Sequence, residues 1–180
     1  MAEKRREKRA GKLTRSKKKK QTTLYAAIAV GVIIIALSIF FVYSNDQAKE
    51  RGKAFGKALE FIQDDLRKLT QSYDSKVSMF KQGDIDKEIF LEFAKKHERE
   101  MEKTILRYDN LQIPQTFASS VELFKLSSET QLESDKHMME WIMTGDETEK
   151  IRSDSLLQQS FEYEMAALSK FKLAQGQTNP

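Results

Sequence analysis

The sequence predicts an all-α protein in which one N-terminal transmembrane helix is followed by an antiparallel, up-down-up-down four-helix bundle. Three observations lead to this fold class. The twenty residues from Leu24 to Tyr43 carry no charged side chain. The chain has 7 Gly, 2 Pro and no Cys, so few residues interrupt helices. Large apolar residues then recur at intervals of three and four, which is typical of helices packed in a bundle.

Charge divides the chain into unlike parts. Residues 1–20 contain eleven Lys and Arg and two Glu, a net charge of +9, and residues 21–44 contain no charged residue. Because the whole chain carries +4, the remainder carries −5. We therefore predict a disordered basic cytoplasmic tail at 1–21, a transmembrane helix at 22–44, the bundle at 45–173 and a disordered polar tail at 174–180.

The apolar segment has the length of a membrane span. A twenty-residue helix is about 30 Å long, which matches the hydrocarbon thickness of a bilayer. The anchor is expected to end near Leu24 and Tyr43. Tyr25 and Tyr43 lie near its two ends, and tyrosine side chains favour the membrane–water interface. A buried soluble helix would seldom be apolar on all faces. A cleaved signal peptide is the main alternative, although its apolar region usually has only about 7–15 residues.

The basic tail sets the expected orientation. Lys and Arg are enriched on the cytoplasmic side of membrane spans, which predicts a single-pass protein of the cell membrane with a cytoplasmic N-terminus and an extracytoplasmic bundle. The reversed topology, with the bundle as a cytoplasmic scaffold, stays open. The tail residues closest to the span are expected to contact anionic headgroups: Arg15, Lys17, Lys18, Lys19 and Lys20. No aromatic residue accompanies them to stack on bases, so nucleic acid is the less favoured partner.

Two Gly-Asp pairs predict the tight turns that join the helices in pairs, Gly83-Asp84 and Gly145-Asp146. Asp146 with Glu149 resembles a capping box. A longer connection around Pro114 separates the two pairs. The predicted helices span about 49–82, 85–108, 115–144 and 147–172.

Large apolar residues define the predicted inward face of each helix. In the second helix they are Ile85, Ile89, Phe93, Met101, Ile105 and Tyr108, with Phe90 and Ala94 beside them. In the fourth helix they are Ile151, Leu157, Phe161, Met165 and Leu168. These spacings of three and four place each set on one side of a helix.

The third helix has three polar residues in its inward-facing lane, Ser128, Gln131 and Asp135. They predict a small polar ligand pocket inside the bundle. In the alternative interpretation the helix is rotated slightly, so that Leu132 and Met139 enter the core and the polar side chains reach water.

The two histidines indicate no metal or cofactor site. His97 continues the inward stripe of the second helix, where we expect a packed, hydrogen-bonded histidine; a proton-sensitive switch is the alternative. His137 follows Glu133 by four residues, whereas carboxylate-bridged metal bundles use Glu-x-x-His on two helices. The sequence also has no phosphate loop, nucleophile elbow or zinc motif. We therefore expect no cofactor and no enzymatic activity.

The leading functional hypothesis is a non-enzymatic, membrane-tethered extracytoplasmic module for protein–protein interaction, with an envelope protein as partner. The alternative is an extracytoplasmic small-ligand sensor or carrier that uses the polar lane. In architecture alone, the layout resembles membrane-anchored extracytoplasmic four-helix modules such as bacterial sensor domains. Ala27 and Gly31 form a small-xxx-small pair in the span, which would allow a homo-oligomer.

Overall fold

The computed structural model describes residues 48–177, which form four long α-helices and two short 3₁₀ turns and contain no β-strand. The helices are α1 (Ala48–Gln82), α2 (Lys87–Leu106), α3 (Ala118–Thr144) and α4 (Glu147–Gln177). The 3₁₀ turns, Arg107–Asn110 and Gln115–Phe117, lie in the connection between α2 and α3. The prediction of an all-α four-helix bundle is confirmed for this part of the chain.

The predicted basic tail and the predicted transmembrane helix at 22–44 lie outside the described residues. Between residues 48 and 177, no helix is both long enough and apolar enough to cross a bilayer. The membrane anchor therefore stays a prediction from the sequence. At the other terminus, α4 continues to Gln177, into the segment expected to be a polar tail, and Ala174 in its last turns is buried.

Each helix packs antiparallel against the helix that precedes it in the chain. Along α1 and α2, Gln63 Nε2 donates a hydrogen bond to Tyr108 OH at one end, and the Tyr73 and Phe90 rings meet nearer the turn. The bundle is closed by aromatic contacts where α1 begins and α4 ends. There the centroid of the Phe117 ring lies 5.6 Å from that of Phe55 and 4.9 Å from that of Phe171.

Both predicted glycine turns are present, although the N-cap of α2 is Asp86 and not Asp84, so this helix begins at Lys87 and not near Ile85. Gly83 and Gly145 have φ angles of 81° and 79°, the left-handed conformation that ends a helix without a Cβ clash. Asp146 caps α4, because its Oδ1 accepts a hydrogen bond from the Thr148 backbone N–H at 2.8 Å. The capping box is incomplete: the Glu149 carboxylate pairs with a histidine of α3 instead of reaching back to the cap.

Small residues line the seam between α3 and α4, the most closely packed pair of helices. They recur at intervals of seven, which places them on one face of each helix: Ser120, Ser127 and Ser134 on α3, and Ser153, Ser160, Ala167 and Ala174 on α4. Ser127 Oγ donates to the backbone carbonyl of Ser160, and Ser134 Oγ donates to that of Ser153, both at 2.8 Å. So short a side chain reaches the opposite backbone only where the two helices lie very close together.

The seam corrects the predicted inward face of α4. Ile151 and Met165 were expected in the core but are 68% and 54% exposed. The serines and alanines of the seam occupy the buried face instead. The prediction failed because it gave weight to large apolar side chains, whereas close packing of two helices requires small ones.

In the first turns of α2, the buried face is also rotated relative to the predicted one. Ile89 is 52% exposed, whereas its neighbour Phe90 is fully buried. The Phe90 ring packs against the rings of Tyr73 and Phe80, with centroids 5.8 and 5.7 Å away. Burial of the larger aromatic ring turns Ile89 toward solvent.

Candidate functional site: a buried polar cluster

Polar side chains from all four helices meet in the interior of the bundle. We call them the His97 cluster: Tyr73 of α1, His97 of α2, Gln131 and Asp135 of α3, and Ser160 of α4. All five are buried, with 9% exposure or less. Buried polar groups are costly unless they are hydrogen-bonded, so their partners decide whether the cluster stabilises the fold.

Asp135 is the centre of the hydrogen bonds in this cluster. Its Oδ2 lies 2.8 Å from His97 Nε2, and its Oδ1 accepts a hydrogen bond from Gln131 Nε2 at 2.8 Å. Its backbone carbonyl accepts a hydrogen bond from Tyr73 OH at 2.7 Å. Ser160 Oγ donates to Gln131 Oε1 at 3.4 Å and so connects α4 to the same network.

Two aromatic rings lie nearly parallel to the His97 ring. It stacks on Tyr73 with centroids 4.4 Å apart and on Phe93 with centroids 6.3 Å apart. Its Nδ1 is buried without a hydrogen-bond partner among the described residues. A proton on Nε2 is donated to Asp135, whereas a proton on Nδ1 would be a buried donor without an acceptor. The surroundings therefore favour the tautomer that carries its proton on Nε2.

Burial governs the electrostatics of the cluster. It raises the pKa of the Asp135 carboxyl, while the hydrogen bond from His97 acts in the opposite direction. Burial also raises the pKa of the Tyr73 hydroxyl far above its ordinary value, and the nearby Asp135 charge raises it further. Tyr73 consequently remains a protonated donor throughout the neutral pH range.

A second polar group surrounds Tyr108, whose hydroxyl is buried between α1 and α3. Gln63 Nε2 donates to this hydroxyl at 2.6 Å, and the Ser128 side chain also hydrogen-bonds to it. Glu164 of α4 faces the same region, and its charge acts on Tyr108. Burial alone raises the pKa of the Glu164 carboxyl to about 7. We call Gln63, Tyr108, Ser128 and Glu164 the Tyr108 group.

A cavity of about 10 Å³ lies beside the His97 cluster, with Leu132 and Met139 among its lining residues. That volume has room for about one water molecule. Glu98 and Lys136 also line it, and Lys136 Nζ lies 3.7 Å from a carboxylate oxygen of Glu98. A surface ion pair between α2 and α3 thus borders the cavity.

The structure places the three predicted pocket residues in two groups. Gln131 and Asp135 belong to the His97 cluster, whereas Ser128 belongs to the Tyr108 group and also donates to the Phe124 carbonyl at 2.9 Å. The rotated-helix alternative is wrong for Gln131 and Asp135. Leu132 is buried, as that alternative expected, but these two polar side chains are also buried and do not reach water. A ligand pocket here stays a prediction, and the cavity would have to widen to accept anything larger than water.

His97 is packed and hydrogen-bonded, as the sequence predicted. His137 pairs with α4: its Nδ1 lies 2.5 Å from Glu149 Oε2, and Arg152 Nη1 lies 2.9 Å from the other oxygen of that carboxylate. Within residues 48–177, no three His, Asp or Glu side chains are grouped so as to hold a metal ion.

Sequence reasoning missed three contributors to these groups. Nothing in the sequence indicates that the Tyr73 hydroxyl bonds across the core. Ser160 had a signal, its seven-residue spacing from Ser153 and Ala167, that went unused. Glu164 has no feature in the sequence that distinguishes it from the many solvent-exposed carboxylates. The predicted headgroup contacts in the tail and the anchor ends, Leu24 and Tyr43, lie outside the described residues.

Comparisons of the chain with protein-family models, with curated proteins and with solved structures give no match. The geometry of the chain itself is therefore the basis for interpreting its function.

Proposed function

We propose that this chain is a non-enzymatic, membrane-tethered module whose extracytoplasmic four-helix bundle binds another envelope protein. The observation that carries the proposal is that the interior polar side chains bond one another. Asp135, the most connected of them, has both carboxylate oxygens engaged by neighbouring side chains. Side chains that hydrogen-bond one another in the core are not available to act on a substrate. The helix surfaces are then the part of the bundle that can bind a partner.

In this proposal the His97 cluster fixes how the helices are arranged. Each hydrogen bond in it joins specific partners, so a helix that slid or rotated would leave a buried polar group unpaired. The surface presented to a partner is then a rigid one. Rigid surfaces lose less conformational entropy on binding than flexible ones.

The end of the bundle with the two glycine turns has the features expected of a protein-binding surface. We call residues 74–92 and 138–155 the far end. Three large apolar side chains are solvent-exposed there, Ile89 at 52%, Met143 at 40% and Ile151 at 68%. The far end contains ten acidic and five basic residues. A partner with an apolar centre and a basic rim would complement this surface.

The test is site-specific photo-crosslinking of the full-length chain in cells. A photo-reactive residue at Ile151 is expected to yield a discrete adduct with a second protein. The matched control is Leu173, also on α4, which is 65% exposed at the opposite end of the helix. Adducts of equal yield and composition from both positions, or no adduct from Ile151, would contradict the proposal.

A further inference from the structure

The two ends of the bundle differ in charge. We call residues 52–62, 107–120 and 168–176 the near end, where α1 begins, α2 meets α3 and α4 finishes. The near end has two acidic residues, Glu60 and Asp109, and five basic ones: Lys53, Lys57, Arg107, Lys170 and Lys172. The far end, by contrast, has ten acidic and five basic residues. A domain that is acidic as a whole therefore has one basic end.

The basic side chains of the near end are accessible. Lys53, Lys57, Lys170 and Lys172 belong to exposed residues. Asp109, one of the two acidic residues, is already engaged by Lys125 Nζ at 2.5 Å. Arg107 is likewise engaged, by Asp65 Oδ2 at 2.6 Å, so the four exposed lysines supply the positive charge of the near end.

Exposed apolar side chains accompany these lysines. Leu173, next to Lys172, is 65% exposed, and Phe61 is 53% exposed. Lys57 Nζ lies 5.9 Å from the centre of the Phe61 ring. Basic and apolar side chains together are the composition of protein surfaces that lie at the headgroup level of a bilayer.

Chain connectivity keeps the near end close to the apolar segment. α1 begins at Ala48, five residues after Tyr43, the last residue of the predicted span. Even a fully extended chain of that length reaches only about 18 Å. Lys53 and Lys57 follow within the first turns of the helix. Electrostatic attraction between exposed charges acts over about 8–10 Å at physiological salt, so it operates when the chain between Tyr43 and Ala48 is less than fully extended.

We propose that the near end docks on the anionic headgroups of the bilayer that holds the anchor, so that the acidic far end points away from the membrane. The anionic surface attracts the basic end and repels the acidic one, which favours one orientation of the bundle. This inference rests on the proposed membrane tether.

The test uses the full-length chain, which has no native cysteine. Leu173→Cys and Ile151→Cys are labelled separately with a fluorophore and reconstituted into phosphatidylcholine vesicles with or without phosphatidylglycerol. Lipids with a spin label on the headgroup act as quenchers. We expect strong quenching of the label at position 173 in phosphatidylglycerol-containing vesicles, weaker quenching there in neutral vesicles, and little quenching at position 151 in either.

Charge removal provides the matched comparison. Lys170→Gln with Lys172→Gln should lower the ratio of docked to undocked bundle by about fivefold for each lysine removed. Lys95→Gln with Lys96→Gln removes the same charge from exposed positions of α2 outside the near end and should leave quenching at position 173 unchanged. Circular dichroism verifies that both double variants remain helical.

Quenching at position 173 that equals quenching at 151, or that is the same in neutral and anionic vesicles, would overturn headgroup docking. Failure of the tether gives a different result, because alkaline carbonate would then wash the protein off the vesicles. A carbonate-resistant protein whose label at 173 stays unquenched overturns the docking alone.

Discussion

Asp135 is the residue on which the largest number of core hydrogen bonds converges. Side chains of α1, α2 and α3 bond to its carbonyl or its carboxylate. Its polar side chain is tolerated in the core because both carboxyl oxygens have hydrogen-bond partners. Removing the carboxylate would leave His97 Nε2 and Gln131 Nε2 as buried donors without an acceptor.

Asp135→Ala is expected to lower the free energy of unfolding by about 3 kcal/mol, because two buried donors lose their acceptor. Asp135→Asn, which keeps one acceptor oxygen, should cost about half as much. Chemical denaturation of the detergent-solubilised chain, followed by circular dichroism, measures both. Glu133→Ala on the exposed side of α3 is the control, with an expected change of about 0.5 kcal/mol or less. An Asp135→Ala variant as stable as this control would refute the role of Asp135.

Glu164 makes stability depend on pH. Its pKa is about 7 in the folded chain because of burial, above the ordinary value of 4.5 that applies when unfolded. The folded state therefore binds its proton more tightly, so stability falls as pH rises from about 4.5 to about 7 and stays reduced above. Glu164→Gln should remove this fall and stabilise the chain at pH 8 by on the order of 1–2 kcal/mol, after allowance for partial exposure.

Thermal unfolding across this pH range, followed by circular dichroism, tests the Glu164 prediction. Glu162→Gln, an exposed carboxylate on the same helix, should keep the pH dependence of the unmodified chain. If Glu164→Gln also keeps it, another group is responsible for the dependence.

At the scale of helices, the α3–α4 seam shows which information the sequence carried and which was overlooked. The positions of the connections between helices followed from two glycines and one proline, because those residues act locally on the backbone. The buried face of α4 could not be predicted in the same way, since Ser153 and Ser160 have no apolar side chain that would indicate burial. Their burial depends on the partner helix, whose Ser134 and Ser127 side chains bond their carbonyls. Only the recurrence of small residues at intervals of seven on both helices gave a signal for this pairing.

Ser160→Leu is expected to destabilise the bundle by about 3 kcal/mol or more, because the added side chain has no space between the two backbones. Ser160→Ala should cost about 1 kcal/mol, since it removes one hydrogen bond but fits the seam. Ser155→Leu, at an exposed position of α4, serves as the control and should leave the melting temperature nearly unchanged. Equal melting temperatures for the two leucine variants would exclude a close-packed seam.

Gly145→Ala should lower the free energy of unfolding by about 1 kcal/mol, because a Cβ disfavours the left-handed conformation at φ 79°. The effect comes from the backbone alone, since no other atom lies within 4 Å of the added Cβ. Gly176→Ala, at a similarly open position in the last turn of α4, should change stability by about 0.5 kcal/mol or less. Denaturation midpoints measure both changes. If Gly176→Ala lowered stability as much as Gly145→Ala, the left-handed turn would not be the cause of the effect.

At the scale of the whole molecule, binary patterning was enough to predict four antiparallel helices, because each long helix must bury an apolar stripe. It was not enough to predict the candidate site. Ser128, Gln131 and Asp135 were identified as inward-facing, but their partners Tyr73, Tyr108 and Ser160 come from other elements of the fold. Which polar side chains meet across a core is decided by the relative rotation of the helices, and spacing within one helix does not encode that rotation.

The membrane tether and its orientation are the central claim, and both rest on the apolar segment and the charge before it. The absence of native cysteine allows Ser16→Cys and Ser155→Cys to be introduced one at a time. Ser155 is a suitable position because it is exposed on α4. A membrane-impermeant maleimide applied to intact cells should label the Ser155→Cys chain and not the Ser16→Cys chain. Labelling of the Ser16→Cys chain alone would contradict the account and place the bundle in the cytoplasm.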